Sequence, residues 1–177
     1  EKINVLLVGG GGREHALGWR IAQSPHLATL YATHTENPGL ASLAKPCEAP
    51  TEAREQWRLI KWCAQHKIDL VVIGPEAPLA EGLADALAKD GRAVFGVGKA
   101  AAQIESNKAW AKQLMRSSYF PTGEARIFSN YEQAVQYLQS REEMPVIKAS
   151  GLAAGKGVIL PDTLEEAVEA LGQIMKQ

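Results

Sequence analysis

The sequence predicts an α/β protein: an open parallel sheet with helices on both faces, followed by a smaller α+β unit. Short apolar runs such as "INVLLV" (3–8) and "IDLVVI" (68–73) end at glycines, which is typical of buried strands. Segments with helical spacing of apolar residues separate these runs, and this alternation favours parallel strands with right-handed crossovers. Two later apolar runs are joined by the glycine-rich stretch "GLAAGKG" (151–157), and so short a connection favours an antiparallel hairpin.

Strands and helices alternate regularly up to about residue 118. Pro25 ends the first helix, and Gly91 follows the third helix in the position where glycine favours a helix end. Trp57, Ile60 and Ala64 mark one face of the second helix. The predicted order is strand 3–8, helix 12–24, strand 27–33, loop 34–50, helix 52–65, strand 68–73, helix 79–90, strand 92–98 and helix 100–118.

The pattern changes after "FPTG" (120–123), where an α+β arrangement begins. Two helices there start with the capping-box spacing, Ser129 with Glu132 and Thr163 with Glu166. We therefore place a domain boundary near residue 122. The predicted domains are 1–121 and 122–177, and the elements of the second are strand 125–128, helix 131–140, strand 145–149, strand 157–160 and helix 164–176.

Composition narrows the classes of partner. The 177 residues carry a formal net charge of −1, so no basic field indicates nucleic acid or an anionic membrane. No apolar run approaches the roughly 18 residues that a membrane-spanning helix needs. Cys47 and Cys63 lack metal-site spacing and indicate reduced thiols, with a disulfide left open by the sequence. No signal peptide precedes the first strand, and we expect a cytoplasmic location.

The motif "GGGGREH" (9–15) lies between a strand and a helix. Glycines let the backbone turn sharply and approach a ligand, and the N–H groups of the helix start favour an anion. The dinucleotide pattern G-x-G-x-x-G fails, because the sixth residue from Gly9 is Glu14. The phosphate of a mononucleotide or phosphosugar is favoured, with Arg13 as a charged clamp, while a dinucleotide or a turn without ligand stays open.

Two further motifs carry candidate chemistry. Glu76, in "GPEAPL" (74–79), follows a strand at the edge where ligands of parallel sheets bind, although a solvated turn is the alternative. The stretch "GLAAGKG" (151–157) departs twice from the P-loop pattern and indicates a glycine flap that covers triphosphate, with Lys156 in the flap. Lys148 and Lys108 could add charge, or each lysine could be a solvated surface residue. The four histidines are scattered and do not indicate a metal site.

Four stretches together resemble the phosphoribosylamine–glycine ligases, also called glycinamide ribonucleotide synthetases, of the ATP-grasp superfamily. They are "VGGGGREHAL" (8–17), "IGPEAPLAEGL" (73–83), "AAAQIESNKAWAKQLM" (100–115) and "VIKASGLAAGKGVIL" (146–160), in family order. The resemblance implies a partial ATP-grasp subdomain after the sheet unit. It also implies the joining of glycine to 5-phosphoribosylamine with ATP, through a glycyl phosphate, in purine biosynthesis.

The resemblance assigns expected site residues. Those expected to face phosphoribosylamine are Gly9, Gly11, Gly12, Arg13, Glu14, Pro75 and Glu76. Those expected at ATP are Lys108, Lys148, Gly151, Gly155, Lys156 and Gly157. The implied cofactors are ATP and Mg²⁺ or Mn²⁺, and we expect the metal ligands in a C-terminal part that this chain lacks.

The chain departs from the family pattern in length and in two loops. Family members are more than twice as long, so we expect an N-terminal portion that is inactive alone. The loops 33–42 and 96–98 differ from the family's usual sequences near the expected substrate side. Two alternatives therefore stay open: another ATP-grasp ligase or carboxylase, and a truncated non-catalytic module that binds a nucleotide or phosphosugar.

Overall fold

The computed structural model describes residues 2–153 and 157–176. They form two compact units that divide between Ala102 and Gln103. This division falls earlier in the chain than residue 122, near which the sequence predicts a domain boundary. The position of that boundary stays a prediction. Among the described residues, no helix has the length and apolar character required to cross a bilayer.

The first unit is built on a five-stranded sheet in which each pair of neighbouring strands is parallel. The strand order is β3-β2-β1-β4-β5. The strands are β1 (Ile3–Val8), β2 (Leu27–Ala32), β3 (Lys45–Pro46), β4 (Leu70–Ile73) and β5 (Ala93–Phe95). The central strand β1 pairs with β2 on one side and with β4 on the other, so loops that follow these three strands meet at one edge.

Helices cover both faces of this sheet. They are α1 (Gly12–Ala22), α2 (Pro38–Ala41), α3 (Gln56–Gln65), α4 (Glu76–Ala80) and α5 (Leu83–Lys89), with a 3₁₀ turn at Ala53–Glu55. The next helix, α6 (Lys99–Ser106), spans the division between the two units. Successive residues of β1 point to opposite faces. Leu7 packs with Leu40 of α2 on one face, while Leu6 packs with Leu59 of α3 and Leu83 of α5 on the other. The predicted open parallel sheet with helices on both faces is therefore confirmed.

The second unit contains a helix pair over a hairpin. Its elements are α7 (Lys108–Ser117), α8 (Tyr131–Gln139), β6 (Ile147–Lys148), β7 (Val158–Ile159) and α9 (Leu164–Met175). The strands are antiparallel, as predicted, with Ile147 opposite Ile159 and Lys148 opposite Val158. Ile147 lies in a core with Leu138 of α8 and Leu171 of α9. Helices α8 and α9 thus cover one face of the hairpin.

Two predicted helices are each interrupted. The helix predicted at 79–90 is α4 and α5, because Gly82 between them has a φ of +90°, a conformation that glycine adopts at little cost. The helix predicted at 100–118 is α6 and α7, because Asn107 leaves the helical conformation and caps α7 through its side chain. The segment predicted as loop, 34–50, contains the short helix α2 and the edge strand β3.

The prediction of a strand at 125–128 is wrong, because these residues, all of them described, form no strand. Side chains of α7 hold the preceding segment instead. The Lys112 ammonium donates hydrogen bonds to Thr122 Oγ1 (2.5 Å) and to the Gly123 carbonyl (3.0 Å), and the Arg116 guanidinium donates to the Ala125 carbonyl. The backbone is thus anchored by α7 rather than by a neighbouring strand.

The helix caps of the second unit agree only in part with the predicted spacing. Asn130, not Ser129, caps α8, with its side-chain oxygen accepting from the Gln133 N–H (2.9 Å). Thr163 caps α9 by accepting from the Glu166 N–H (3.2 Å), as predicted. The Glu166 carboxylate reaches back to the N–H of Asp162 (2.8 Å), one residue before the position that the capping box requires.

Candidate functional site

The glycine loop, residues 9–12, lies between β1 and α1 at the carboxyl edge of the sheet. Gly9 has a φ of +113°, which directs the chain from the strand into the helix. Gly11 is the N-cap of α1, and Gly11, Gly12 and Arg13 are exposed. Within the described parts of the chain, no acceptor takes a hydrogen bond from the N–H groups of Gly10, Gly12 or Arg13. These donors at a helix start are suited to an anion.

The loop after β2 is attached to the glycine loop by two side chains. The Gly9 N–H donates to Thr33 Oγ1 (3.0 Å), and Asn37 donates through Nδ2 to the carbonyl of Gly10 (2.9 Å). Asn37 also caps α2. The His34 ring packs against Gly10, where a Cβ would come within 2.6 Å of the His34 Cβ. The loop 33–42, whose sequence differs from the family's usual one, is therefore part of the site's framework.

The loop after β4 meets the glycine loop from the other side. Arg13 donates from its guanidinium to the Gly74 carbonyl (2.7 Å), so one of its N–H groups is used within the protein. Pro75 is the N-cap of α4 and packs against Gly9, where a Cβ would lie 2.7 Å from the proline Cδ. Glu76 is half-buried at the start of α4, and no described residue hydrogen-bonds to its carboxylate.

Glu14 differs from the other expected contacts because its side chain is buried. It is 5 % exposed and accepts a hydrogen bond at Oε2 from the Gly11 N–H (2.7 Å). The structure thus brings Gly9, Gly11, Arg13 and Glu14 together with the loop that begins at Gly74. In this arrangement the Glu14 carboxylate faces the backbone rather than solvent.

In the second unit, Lys108 and the start of the predicted flap lie together. The Lys108 ammonium donates to the Gly151 carbonyl (2.8 Å), and its N–H donates to the Ser150 carbonyl (2.8 Å). The Ser150 hydroxyl donates to Asn107 Oδ1 (2.9 Å) and accepts from the Ala109 N–H (3.2 Å). The first turn of α7 therefore holds the segment that leaves β6.

Two further expected ATP contacts, Lys148 and Gly157, lie in β6 and directly before β7. Lys148 is exposed, on the face of β6 opposite the helix core. Gly157 is buried, and a Cβ there would come within 2.5 Å of the Ala153 Cβ. Gly155 and Lys156 lie outside the described residues. Among the residues that are described, no group of three or more His, Cys, Asp or Glu side chains could hold a metal ion.

Several framework residues were not predicted from the sequence. The dipeptide Asn37-Pro38 combines a favoured N-cap with a favoured first helical residue, and could have predicted α2. Asn107 precedes α7 in the same way. The hydrogen bonds of Thr33, Gly74 and Ser150 carry no local signal, because their partners are distant in the sequence.

The parallel sheet with a glycine loop after its first strand, followed by a hairpin unit with its own helix core, defines a class of two-unit α/β proteins. The family model "Phosphoribosylglycinamide synthetase, N domain" matches residues 3–105, and "Phosphoribosylglycinamide synthetase, ATP-grasp (A) domain" matches residues 106–177. The chain therefore belongs to the phosphoribosylglycinamide synthetase family, and it is an N-terminal portion of that family's sequence.

Individual relatives agree with this assignment. The chain is 46 % identical over 171 residues to the phosphoribosylamine–glycine ligase of Rhizobium meliloti, covering 97 % of this chain and 40 % of the relative. The crystal structure of the phosphoribosylamine–glycine ligase of Thermotoga maritima matches with a TM-score of 0.69 at 25 % identity, covering 98 % of this chain and 41 % of that one.

A more distant structure shares the fold alone. The N5-carboxyaminoimidazole synthetase of Staphylococcus aureus, solved with ADP, matches with a TM-score of 0.71 at 14 % identity. The match covers 97 % of this chain and 45 % of the synthetase chain. Across these comparisons the chain spans less than half the length of the proteins that it matches.

Proposed function

We propose that this chain is the N-terminal portion of an ATP-dependent ligase that joins glycine to 5-phosphoribosylamine. The products are glycinamide ribonucleotide, ADP and phosphate, and a glycyl phosphate is the intermediate. The observation that carries the proposal is the succession of two models from one family over residues 3–177. We place the reaction in the cytoplasm, among the steps of purine biosynthesis.

The first unit supplies the phosphosugar site in this proposal. The N–H groups of Gly10, Gly12 and Arg13 face the ligand phosphate at the start of α1, where the helix dipole favours negative charge. The Arg13 guanidinium has donors beyond the one that bonds Gly74, and these can pair with phosphate oxygens. The Glu76 carboxylate accepts from the sugar hydroxyls or the amine.

The second unit supplies part of the ATP site. Lys148 on β6 and Lys108 at the start of α7 offset phosphate charge, together with Lys156 of the flap. The Lys108 ammonium has three donors, of which one bonds the Gly151 carbonyl and two remain for phosphate oxygens. Gly151, Gly155 and Gly157 let the flap close over the triphosphate. Closure excludes water, which would otherwise hydrolyse an acyl phosphate.

The ATP-grasp family implies ATP and a divalent metal. The exposed lysine on the hairpin and the lysine at the base of the flap fit the phosphates of ATP. The described residues do not offer a metal cluster, so we assign no metal ligand within them.

Binding to this chain tests the two sites separately. Isothermal titration with glycinamide ribonucleotide and with ATP should show two independent sites, each weakened by high salt because charge dominates both. Arg13→Ala should lower the affinity for glycinamide ribonucleotide alone, and Lys148→Ala should lower the affinity for ATP alone. ATP binding without ribonucleotide binding would contradict the phosphosugar site and favour another ATP-grasp activity.

A further inference from the structure

We propose that Glu14 is a positioning residue, which holds the glycine loop against the loop after β4 and does not itself contact the phosphosugar. The inference rests on the proposed function only for the identity of the ligand. It revises the expectation that this carboxylate faces the substrate. Glu14 is buried, its carboxylate accepts a hydrogen bond from the backbone, and glycines surround its side chain.

The carboxylate is engaged with the backbone of its own loop. Glu14 accepts at Oε2 from the Gly11 N–H over 2.7 Å, and only 5 % of the residue is exposed. A negative charge in the first turn of α1 is favoured by the helix dipole, and a hydrogen bond to a charged acceptor is stronger than a neutral one. The carboxylate therefore stabilises one conformation of the loop.

Three glycines from two loops make room for this side chain. A Cβ at Gly74 would lie 2.2 Å from Glu14 Oε1, and one at Gly11 would lie 2.9 Å from Oε2. A Cβ at Gly9 would lie 2.7 Å from the Glu14 Cγ. Real Cβ atoms do not approach this closely, so a larger residue at these positions would displace the carboxylate. The pocket for Glu14 thus depends on both loops.

This arrangement determines what the loop can offer a ligand. The Gly11 N–H is bonded to Glu14, whereas the N–H groups of Gly10, Gly12 and Arg13 have no acceptor among the described residues. Arg13 joins the same two loops through its bond to Gly74. With the conformation fixed before binding, the ligand does not bear the entropy cost of ordering the loop.

Two ligands distinguish a positioning role from direct contact. Ribose 5-phosphate carries the phosphate without the nitrogen at C1, and glycinamide ribonucleotide carries both. If Glu14 positions the loop, Glu14→Ala should lower the affinity for both ligands by the same factor, about tenfold. This is the loss expected when one hydrogen bond to a charged group is removed. Glu14→Gln should stay within about threefold of the wild-type affinity, because its amide oxygen can still accept from Gly11.

Direct contact with the ligand nitrogen predicts a different result. Glu14→Gln and Glu14→Ala would then weaken glycinamide ribonucleotide alike, and ribose 5-phosphate binding would not change. That pattern in the titrations would overturn the inference. Thermal unfolding of each variant shows whether it is folded at the titration temperature.

A substitution on the opposite loop tests the same contact without altering Glu14. Gly74→Ala should displace the Glu14 carboxylate and lower the affinity for both ligands, as Glu14→Ala does. Gly123→Ala is the matched control, because its Cβ would meet no atom within 4 Å. Wild-type affinity in Gly74→Ala would contradict the proposal.

Amide hydrogen exchange at Gly11 decides the inference even without ligand. Exchange of the Gly11 N–H should be at least tenfold faster in Glu14→Ala than in the wild type, and close to the wild-type rate in Glu14→Gln. If the wild-type chain bound neither ligand, the proposed phosphosugar site would fail, while this comparison would still report on Glu14. Equal Gly11 exchange rates in wild type and Glu14→Ala would overturn the positioning role.

Discussion

The side-chain ammonium of Lys108 lies 2.8 Å from the carbonyl oxygen of Gly151 and donates a hydrogen bond to it. The two residues are 43 positions apart, at the start of α7 and at the base of the predicted flap. A lysine that was expected at the phosphates of ATP thus also holds the backbone from which the flap begins. Substitutions here should therefore affect ATP binding through both charge and position.

Lys108→Ala should weaken ATP binding by about tenfold or more, since it removes a charge-assisted contact and releases the Gly151 carbonyl. Isothermal titration with ATP measures the effect. Lys89→Ala is the matched control, because Lys89 is exposed at the end of α5 in the first unit. Equal affinities in Lys108→Ala and Lys89→Ala would remove Lys108 from the proposed ATP site.

The Asn107 side chain caps α7 and also accepts a hydrogen bond from Ser150, the residue before the predicted flap. Its substitution should therefore have two effects. Its Oδ1 accepts from the Trp110 N–H (3.0 Å) and from the Ser150 hydroxyl (2.9 Å). Asn107→Ala should lower the free energy of unfolding by about 1 kcal/mol and also weaken ATP binding. Asn130→Ala removes a comparable cap from α8 and should change stability without changing ATP affinity. Urea denaturation and titration of both variants make the comparison.

Asn37 should contribute to phosphosugar binding through the carbonyl of Gly10, to which it donates (2.9 Å). Asn37→Ala should lower the free energy of unfolding by about 1–2 kcal/mol and weaken ribose 5-phosphate several-fold. Asn4→Ala serves as the control. Asn4 bonds the Lys67 carbonyl (3.1 Å) from the amino end of β1, so it should change stability alone. Unchanged ribose 5-phosphate affinity in Asn37→Ala would argue against a preorganised loop.

The two thiols should be unreactive in the folded chain. Burial raises the pKa of Cys47 to about 11 and that of Cys63 to about 12, from an ordinary 9.0. A thiol-disulfide reagent at pH 8 should therefore label them only after denaturation, because the thiolate is the reactive form. Rapid labelling of the folded chain would contradict this description of the core.

The same shifts predict the sign of a pH effect on stability. The folded chain keeps both thiols protonated where the unfolded chain releases protons, so the stabilisation is complete below pH 9 and decreases as the pH rises towards about 12. The free energy of unfolding should fall more steeply between about pH 9 and 11 in the wild type than in a Cys47→Ala, Cys63→Ala double variant. Equal slopes in the two chains would contradict the predicted linkage.

The fold was predictable where local patterns reflect burial. Strands such as β1 and β4 are buried on both faces and are therefore nearly continuous apolar runs. The edge strand β3 (Lys45–Pro46) is two exposed residues long, too short for any pattern. The break at Gly82 was missed because an isolated glycine within a helical pattern is often tolerated.

The candidate site was predictable as a set of motifs but not as a set of contacts. Glycines and charges mark the loops that begin at Gly9 and Gly74, and parallel pairing of β1 with β4 brings the two loops together. The burial of Glu14 depends on glycines from both loops, and sequence spacing does not report that distance. The expectation that Glu14 contacts the substrate came from the family resemblance alone.

Release of ADP tests the central claim most directly. The 177-residue chain and the longest product of its gene are assayed with Mg²⁺, ATP, glycine and freshly generated phosphoribosylamine, leaving out one substrate at a time. The proposal predicts ADP release by the longer product only when both glycine and phosphoribosylamine are present, and none by this chain alone. Release with bicarbonate in place of glycine, or no substrate-dependent release by either form, would contradict the ligase assignment.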